Sequence, residues 1–215
     1  MKKAKMQLAL DELGLDAALA LAEQVRSYVD IIEAGTPLLL REGMRAVQAL
    51  RNAFPEKEIL ADVKIMDAGE YEASIAFEAG ADYCTVLGCT DLITIGGCLQ
   101  AAQKYDRHVF VDMICVDDLA GRVRRLEAIG ADCIAAHTGT DRQAGGGTPL
   151  EDLRMLKASV RRAQLSVAGG IKAETVQEYI EAGADVIVVG GGICRAADPV
   201  AAAKAIWEKL QEDAG

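Results

Sequence analysis

The stretch ILADVKIMDAGE, positions 59–70, ends an apolar run in Asp62, Lys64 and Asp67. Two carboxylates and an ammonium at this spacing could hold a cation, position a hydroxyl, or donate to an oxygen on which negative charge develops. Asp62 and Lys64 stand two positions apart, so on an extended strand both point to one side. Other apolar runs also finish in chemistry-bearing residues: Asp11 in LALDE, Glu33 in DIIEAG, Asp112 in VFVDM and His137 in IAAHTG. Glu33 and Asp62 are hard oxygen ligands that suit Mg2+ with its retained waters. The plainer alternative is an Asp–Lys ion-pair network. Of the two histidines, His108 opens its run in DRHVFVD and is placed at the surface, whereas His137 closes its run and is the natural general acid or base.

Two glycine-rich segments complete the set. SVAGGIK carries Gly169 and Gly170, and VVGGGICRAADP carries Gly190 and Gly191. Without side chains, their backbone N–H groups can approach a phosphate closely, so the substrate expected is a phosphorylated sugar. The segment TGTDRQAGGGT (138–148) is expected to be a mobile flap, because three successive glycines disfavour a fixed conformation.

The elements that position these residues follow from a recurring pattern. FEAGADYCTV (77–86), EAIGADCIAA (127–136) and IEAGADVIVV (180–189) each read as a helix end, a glycine, Ala-Asp and a β-branched strand. Gly80, Gly130 and Gly183 are the expected left-handed helix closers. Eight strands are predicted, at 6–11, 29–34, 58–63, 82–87, 108–113, 132–137, 164–168 and 185–190, with helices between them. In 117–129, Leu119, Val123 and Leu126 make one apolar stripe, with Arg122, Arg124, Arg125 and Glu127 facing away. Near the end, Val200, Ala203, Trp207 and Leu210 form a similar stripe. Thr148-Pro149-Leu150-Glu151 is expected to be a capping box, and Asp198-Pro199 a second helix start. Eight alternations in 215 residues predict a single (β/α)8 barrel over 1–215, with an open doubly wound sheet as the alternative. A barrel gathers all the charged strand ends at one mouth, where barrel enzymes place their chemistry.

Composition agrees with this fold and excludes other classes. The chain is 51% hydrophobic but only 4% aromatic, which suits small-residue packing of helices on a parallel sheet. With 33 acidic and 23 basic residues the net charge is −10, so bulk nucleic-acid binding is excluded. No apolar run approaches membrane-spanning length. The six cysteines form no C-x-x-C pair and are expected to be reduced thiols of a cytoplasmic protein.

D-V-K-I-M-D (62–67) is similar to the Asp-x-Lys-x-x-Asp motif of the orotidine 5′-phosphate decarboxylase suprafamily. Within it, VDIIEAGTPL, ADVKIMDAGE, DYCTVLG, HTGTDRQA, SVAGGI and ADPVAAA resemble the 3-hexulose-6-phosphate synthase family, from about Met6 to Ile206. The resemblance implies a Mg2+-dependent aldol condensation of ribulose 5-phosphate with formaldehyde through a stabilised enediolate. It implies Glu33 and Asp62 as metal ligands, Lys64 as donor to the enediolate, and Asp11 and Asp67 as groups that bind or orient hydroxyls. His137 would move the C1 proton, and Gly169, Gly170, Gly190 and Gly191 would line the phosphate site. It also implies a homodimer in which Asp67 reaches the neighbouring subunit's site. A related 3-keto-L-gulonate 6-phosphate decarboxylase typically carries arginines where this chain has Thr140 and Gly191. Orotidine phosphate decarboxylase itself continues differently after the final Asp, and ribulose-phosphate epimerases need a second metal-binding histidine that this chain lacks. A barrel that binds a phosphosugar without turnover would have lost the catalytic groups present here.

Overall fold

Successive residues of a buried strand point alternately to two faces, and this chain sorts the two faces cleanly. In the computed structural model, which describes residues 3–212, eight parallel strands pair in chain order and close, β8 returning to β1. They are β1 (Lys5–Leu10), β2 (Ile31–Ala34), β3 (Glu58–Ile65), β4 (Tyr83–Leu87), β5 (His108–Asp112), β6 (Cys133–His137), β7 (Gln164–Ala168) and β8 (Val186–Val189). The helices are α1 (Leu15–Val25), α2 (Thr36–Glu42), α3 (Arg45–Ala53), α4 (Gly69–Glu78), α5 (Leu92–Tyr105) and α6 (Leu119–Ala128). After β6 follow α7 (Thr140–Ala144), α8 (Leu150–Ser159), α9 (Val176–Glu181), α10 (Gly191–Cys194) and α11 (Pro199–Gln211). The closure excludes the open doubly wound sheet. The first two and last three residues of the span assigned to the barrel lie outside the described residues.

Ile32, Ala61, Cys84, Val111, Ile134 and Ile187 belong to the main core between sheet and helices. Each has a strand neighbour in a second, separate cluster: Ile31, Leu60, Tyr83, Phe110, Cys133 and Val186. That cluster is an apolar plug inside the barrel. Two residues further along the same strands stand Glu33, Asp62, Thr85, Asp112, Ala135 and Val188. The period of two therefore stacks a largely polar layer directly on the plug. Fully burying one aliphatic side chain stabilises by roughly 1.5–3 kcal/mol, and the two cores offset the desolvation of the carboxylates between them.

The recurring Gly-Ala-Asp now has a physical reason. Gly80, Gly130 and Gly183 all have positive φ and close their helices. The aspartates that follow tie each new strand to the start of the preceding one. Asp82 Oδ2 accepts from the Ile59 N–H at 2.8 Å, and Asp185 Oδ2 from the Leu165 N–H at 2.9 Å. Asp30, before β2, does the same for the Met6 N–H at 2.9 Å. Asp132 instead faces His108 at 3.5 Å, at the exposed N-terminal end of β5 where His108 was expected.

All eight predicted strands agree within two residues at each end, β3 running on to Ile65. Two local expectations need correction. Glu127 does not face away from α6: it is buried, and its Oε1 accepts from the N–H groups of Arg161, Arg162 and Ala163 at 3.0, 2.8 and 3.0 Å. Burial alone raises its pKa, yet these three donors hold it below the ordinary carboxylate value. Thr148 forms no capping box, because α8 begins at Leu150 with Pro149 at its cap and no side-chain cap bond. Asp198, by contrast, caps α11 by accepting from the Ala201 N–H at 2.9 Å. The segment 138–148, expected to be a mobile flap, contains the short helix α7. The glycines after it are held by Gly145 N–H and Gly147 N–H donating to Arg142 O at 3.1 Å and Gly146 N–H to Gln143 O at 2.9 Å.

Candidate active site

The centre of the site is a distortion in β3. Its pairing with β4 shifts between Ala61 and Ile65, and Lys64 adopts a left-handed φ of 49°. A bulge of this kind re-aims side chains, and it strains a residue that has a Cβ. Thr85 on β4 holds it: the Lys64 N–H donates to Thr85 Oγ1 at 2.9 Å, and that hydroxyl donates to Asp62 Oδ1 at 2.8 Å. Lys64 Nζ then reaches back to both Asp62 oxygens, at 2.9 and 2.7 Å. Thr36, at the start of α2, lies 2.8 Å from Asp62 Oδ2 and 2.7 Å from the Asp62 backbone oxygen. Asp62 and Lys64 thus meet as the sequence predicts, through a bulge rather than a regular strand.

Lys64 Nζ also lies 3.3 Å from Asp112 Oδ2, the atom that meets His137 Nδ1 at 2.8 Å. Asp112 Oδ1 accepts from the Ile114 N–H at 3.0 Å, which fixes the carboxylate. With Nδ1–H donating to Asp112, the imidazole leaves Nε2 free to accept a proton. Burial disfavours the Lys64 ammonium, but Asp62 and Asp112 outweigh it and raise the lysine pKa. Burial would raise the Asp112 pKa; the His137 bond and the charges of His137 and Lys64 bring it below the ordinary value instead.

Glu33 and Asp11 complete the cluster, and here negative charge is in excess. Glu33 is buried, and its Oε2 accepts from Gln7 Nε2 at 2.6 Å. Burial, then Asp62 and Asp11, push its pKa well up. Asp11 just past β1 is likewise raised, by burial first and then by Asp62. Such a site favours an added cation. Glu33 and Asp62 are hard oxygen donors from adjacent strands, and Gln7 Oε1 is a buried acceptor without a partner among the described residues. The donor set therefore fits a hard divalent ion. No three His, Cys, Asp or Glu groups among the described residues are placed to hold a metal ion together. Two carboxylates with water or substrate completing the shell is the arrangement that Mg2+ accepts.

The glycine segments lie at the same mouth. Gly169 and Gly170 both have positive φ, 131° and 69°, which a residue with a side chain rarely adopts. Gly190 neighbours Asp11, and Gly191 begins α10, whose first N–H groups have no partner within the helix. Asp67 is the predicted site residue that does not join the cluster: it is exposed, and its Oδ1 accepts from the Ala68 N–H at 2.7 Å. Sequence reasoning missed Thr85, Thr36 and Gln7, and gave Asp112 no role. Gln7 and Thr85 did leave a signal, as polar residues on the inward register of apolar strands.

Replacing Thr85 with Val is expected to leave the Lys64 N–H unpaired and remove a donor from Asp62, lowering stability by roughly 1–3 kcal/mol. Thr85→Ser, which keeps the hydroxyl, is expected to retain most of it. Urea unfolding midpoints of the two variants check this; equal midpoints would mean that the hydroxyl does not hold the bulge.

Residues 4–206 match the Orotidine 5′-phosphate decarboxylase / HUMPS family. A 3-hexulose-6-phosphate synthase of Bacillus subtilis is 46% identical over 90% of this chain and 92% of its own. The crystal structure of 3-hexulose-6-phosphate synthase from Salmonella typhimurium superposes with a TM-score of 0.95 at 52% identity, covering 96% of this chain and 98% of that one. A 3-keto-L-gulonate-6-phosphate decarboxylase from Vibrio cholerae gives a TM-score of 0.82 at 31% identity, covering 97% of each. A family match over nearly the whole barrel and relatives at these identities place the chain: it belongs to the orotidine 5′-phosphate decarboxylase/HUMPS family.

Proposed function

We propose that this aldehyde-lyase condenses D-ribulose 5-phosphate with formaldehyde to give D-arabino-3-hexulose 6-phosphate. The observation that carries the reading is the His137–Asp112 pair beside Lys64, an oriented base next to an ammonium held by two carboxylates. The synthase-named relatives, at 46% and 52% identity against 31% for the decarboxylase, support condensation over decarboxylation.

Removing a proton beside a ketone is difficult because negative charge builds on the carbonyl oxygen. His137 Nε2 takes the C1 proton, and Asp112 stabilises the imidazolium that forms. Lys64 donates to the oxygens of the resulting enediolate, where its charge counts more than in the neutral ground state. C1 then forms a bond to the formaldehyde carbon, the carbonyl π bond breaks, and the new alkoxide takes its proton back from His137. Glu33 and Asp62 would hold Mg2+, which when bound supplies further positive charge to the substrate oxygens. Formaldehyde offers almost no binding surface, so the phosphate at Gly169, Gly170, Gly190 and Gly191 and the hydroxyl contacts of Asp11 provide the positioning.

Asp67 enters this reading through a second copy of the chain. Met66, Tyr71, Ile75 and Ile93 are exposed on and around α4 and the start of α5, next to Asp67. A homodimer covering that face would bring Asp67 toward the neighbouring site. No helix among the described residues is long and apolar enough to cross a membrane. The six cysteines are free, which suits the reducing cytoplasm where this reading puts the enzyme.

Formaldehyde consumption that requires both ribulose 5-phosphate and Mg2+, and that stops with EDTA, is the expected result. Glu33→Gln and Asp62→Asn are each expected to raise the Mg2+ concentration needed, since an amide is a poorer ligand for a hard cation. Decarboxylation of the keto-gulonate phosphate faster than condensation would overturn the assignment. His137→Asn is expected to slow exchange of the C1 proton with deuterium by roughly 10²–10⁴-fold. Proton NMR reads this directly, and exchange at the wild-type rate would remove His137 as the base. By gel filtration the protein is expected to be a dimer, and Tyr71→Glu to yield monomers with reduced activity. A fully active wild-type monomer would rule out a role for Asp67 in trans.

A further inference from the structure

Arg195 follows α10, and its guanidinium folds back over the loop. A side-chain carbon placed on Gly191 would overlap the guanidinium. Residue 191 thus lacks a side chain at the place where a cation already stands. The backbone beneath is fixed: Ile193 is fully buried, Cys194 Sγ meets Ala9 O at 3.5 Å, and the Arg195 N–H donates to Gly191 O at 3.2 Å. The Arg195 side chain is exposed, and its Nη1 pairs with Glu12, the residue after Asp11 in the loop that follows the neighbouring strand β1. Arg41, the other arginine at this edge, is directed to the Glu12 and Leu13 carbonyls at 3.4 and 3.5 Å.

An exposed ion pair of this kind contributes little, because water screens it and two long side chains must be ordered. A phosphate dianion offers a guanidinium paired, charge-assisted hydrogen bonds that are markedly stronger. We propose that Arg195 is a phosphate-binding residue of this enzyme, parked on Glu12 and transferred to the substrate phosphate when it settles against Gly190 and Gly191. The inference rests on the phosphosugar reading of the site. It adds a side-chain cation to a phosphate site otherwise built from glycine backbone, and it gives Glu12 the role of competitor. In an acidic chain, a parked arginine keeps one positive group at the mouth without drawing anions indiscriminately.

The test compares wild type, Arg195→Ala, Arg195→Lys and Glu12→Gln, with inorganic phosphate and ribulose 5-phosphate titrated by calorimetry and with condensation kinetics. Arg195→Ala is expected to weaken binding of both ligands roughly tenfold or more, the scale of a lost charged hydrogen bond, and to raise KM with little change in kcat. Arg195→Lys is expected to recover part of the affinity, and Glu12→Gln to bind as tightly as wild type or tighter. Wild-type affinity in Arg195→Ala would overturn the proposal. So would equal losses in Arg195→Ala and Glu12→Gln accompanied by a common fall in melting temperature, the mark of a merely structural tie. The two readings fail separately. Arginine-dependent phosphate binding without condensation would overturn the proposed reaction and keep this site, whereas condensation indifferent to residue 195 would overturn this site alone.

Discussion

Four carboxylates, Asp11, Glu33, Asp62 and Asp112, crowd around one ammonium and one imidazole, and the position of that ammonium governs the whole mouth. Lys64 sits between Asp62 and Asp112 and so divides the cluster in two. On one side Asp112 is held charged and can orient His137. On the other, burial first and then the charge of Asp62 raise the pKa values of Glu33 and Asp11. One half is thereby prepared to move a proton, and the other half to accept a cation. Both properties follow from where the single ammonium sits.

The bulge in β3 is what makes that division possible. On a regular strand Lys64 would continue the barrel wall. With a left-handed backbone it turns back toward Asp62, and Thr85 fixes the turn by satisfying its freed N–H. The strain is tolerable because the plug below and the helix-facing core outside hold β3 in place from both sides.

This division of labour also explains what was legible in the sequence. The eightfold alternation, the Gly-Ala-Asp repeats and the charged strand ends depend on local periodicity, so they could be read directly. What escaped depends on residues far apart in the chain. Glu127 looks like one more polar residue on an arginine-rich helix face, yet its partners are backbone groups at 161–163. Thr85 in YCTVLG passes for ordinary β propensity until its hydroxyl is seen between Lys64 and Asp62. The sign of φ at Lys64 has no signature in residue type. In 138–148 the glycine N–H groups donate to the Arg142 and Gln143 carbonyls at the end of a short helix, contacts that glycine content alone does not announce. Asp67 lies away from the cluster within one chain, and only its family resemblance gives it a function.

The proton-handling groups and the carboxylates stand on strands or within a residue of them, while Gly170, Gly191, Thr140 and Arg195 belong to the loops and short helices above. Substitutions in the strands alter a frame in which Asp62, Lys64, Thr85, Asp112 and His137 are tied to one another, whereas the loops above carry fewer such ties. Descent can therefore vary the loops while the strand frame stays in place. A decarboxylase-named barrel at only 31% identity that still superposes over 97% of the chain is what such a separation would leave behind. The architecture thus separates a strand-borne frame, fixed by its neighbours on both sides, from loops that are free to vary above it.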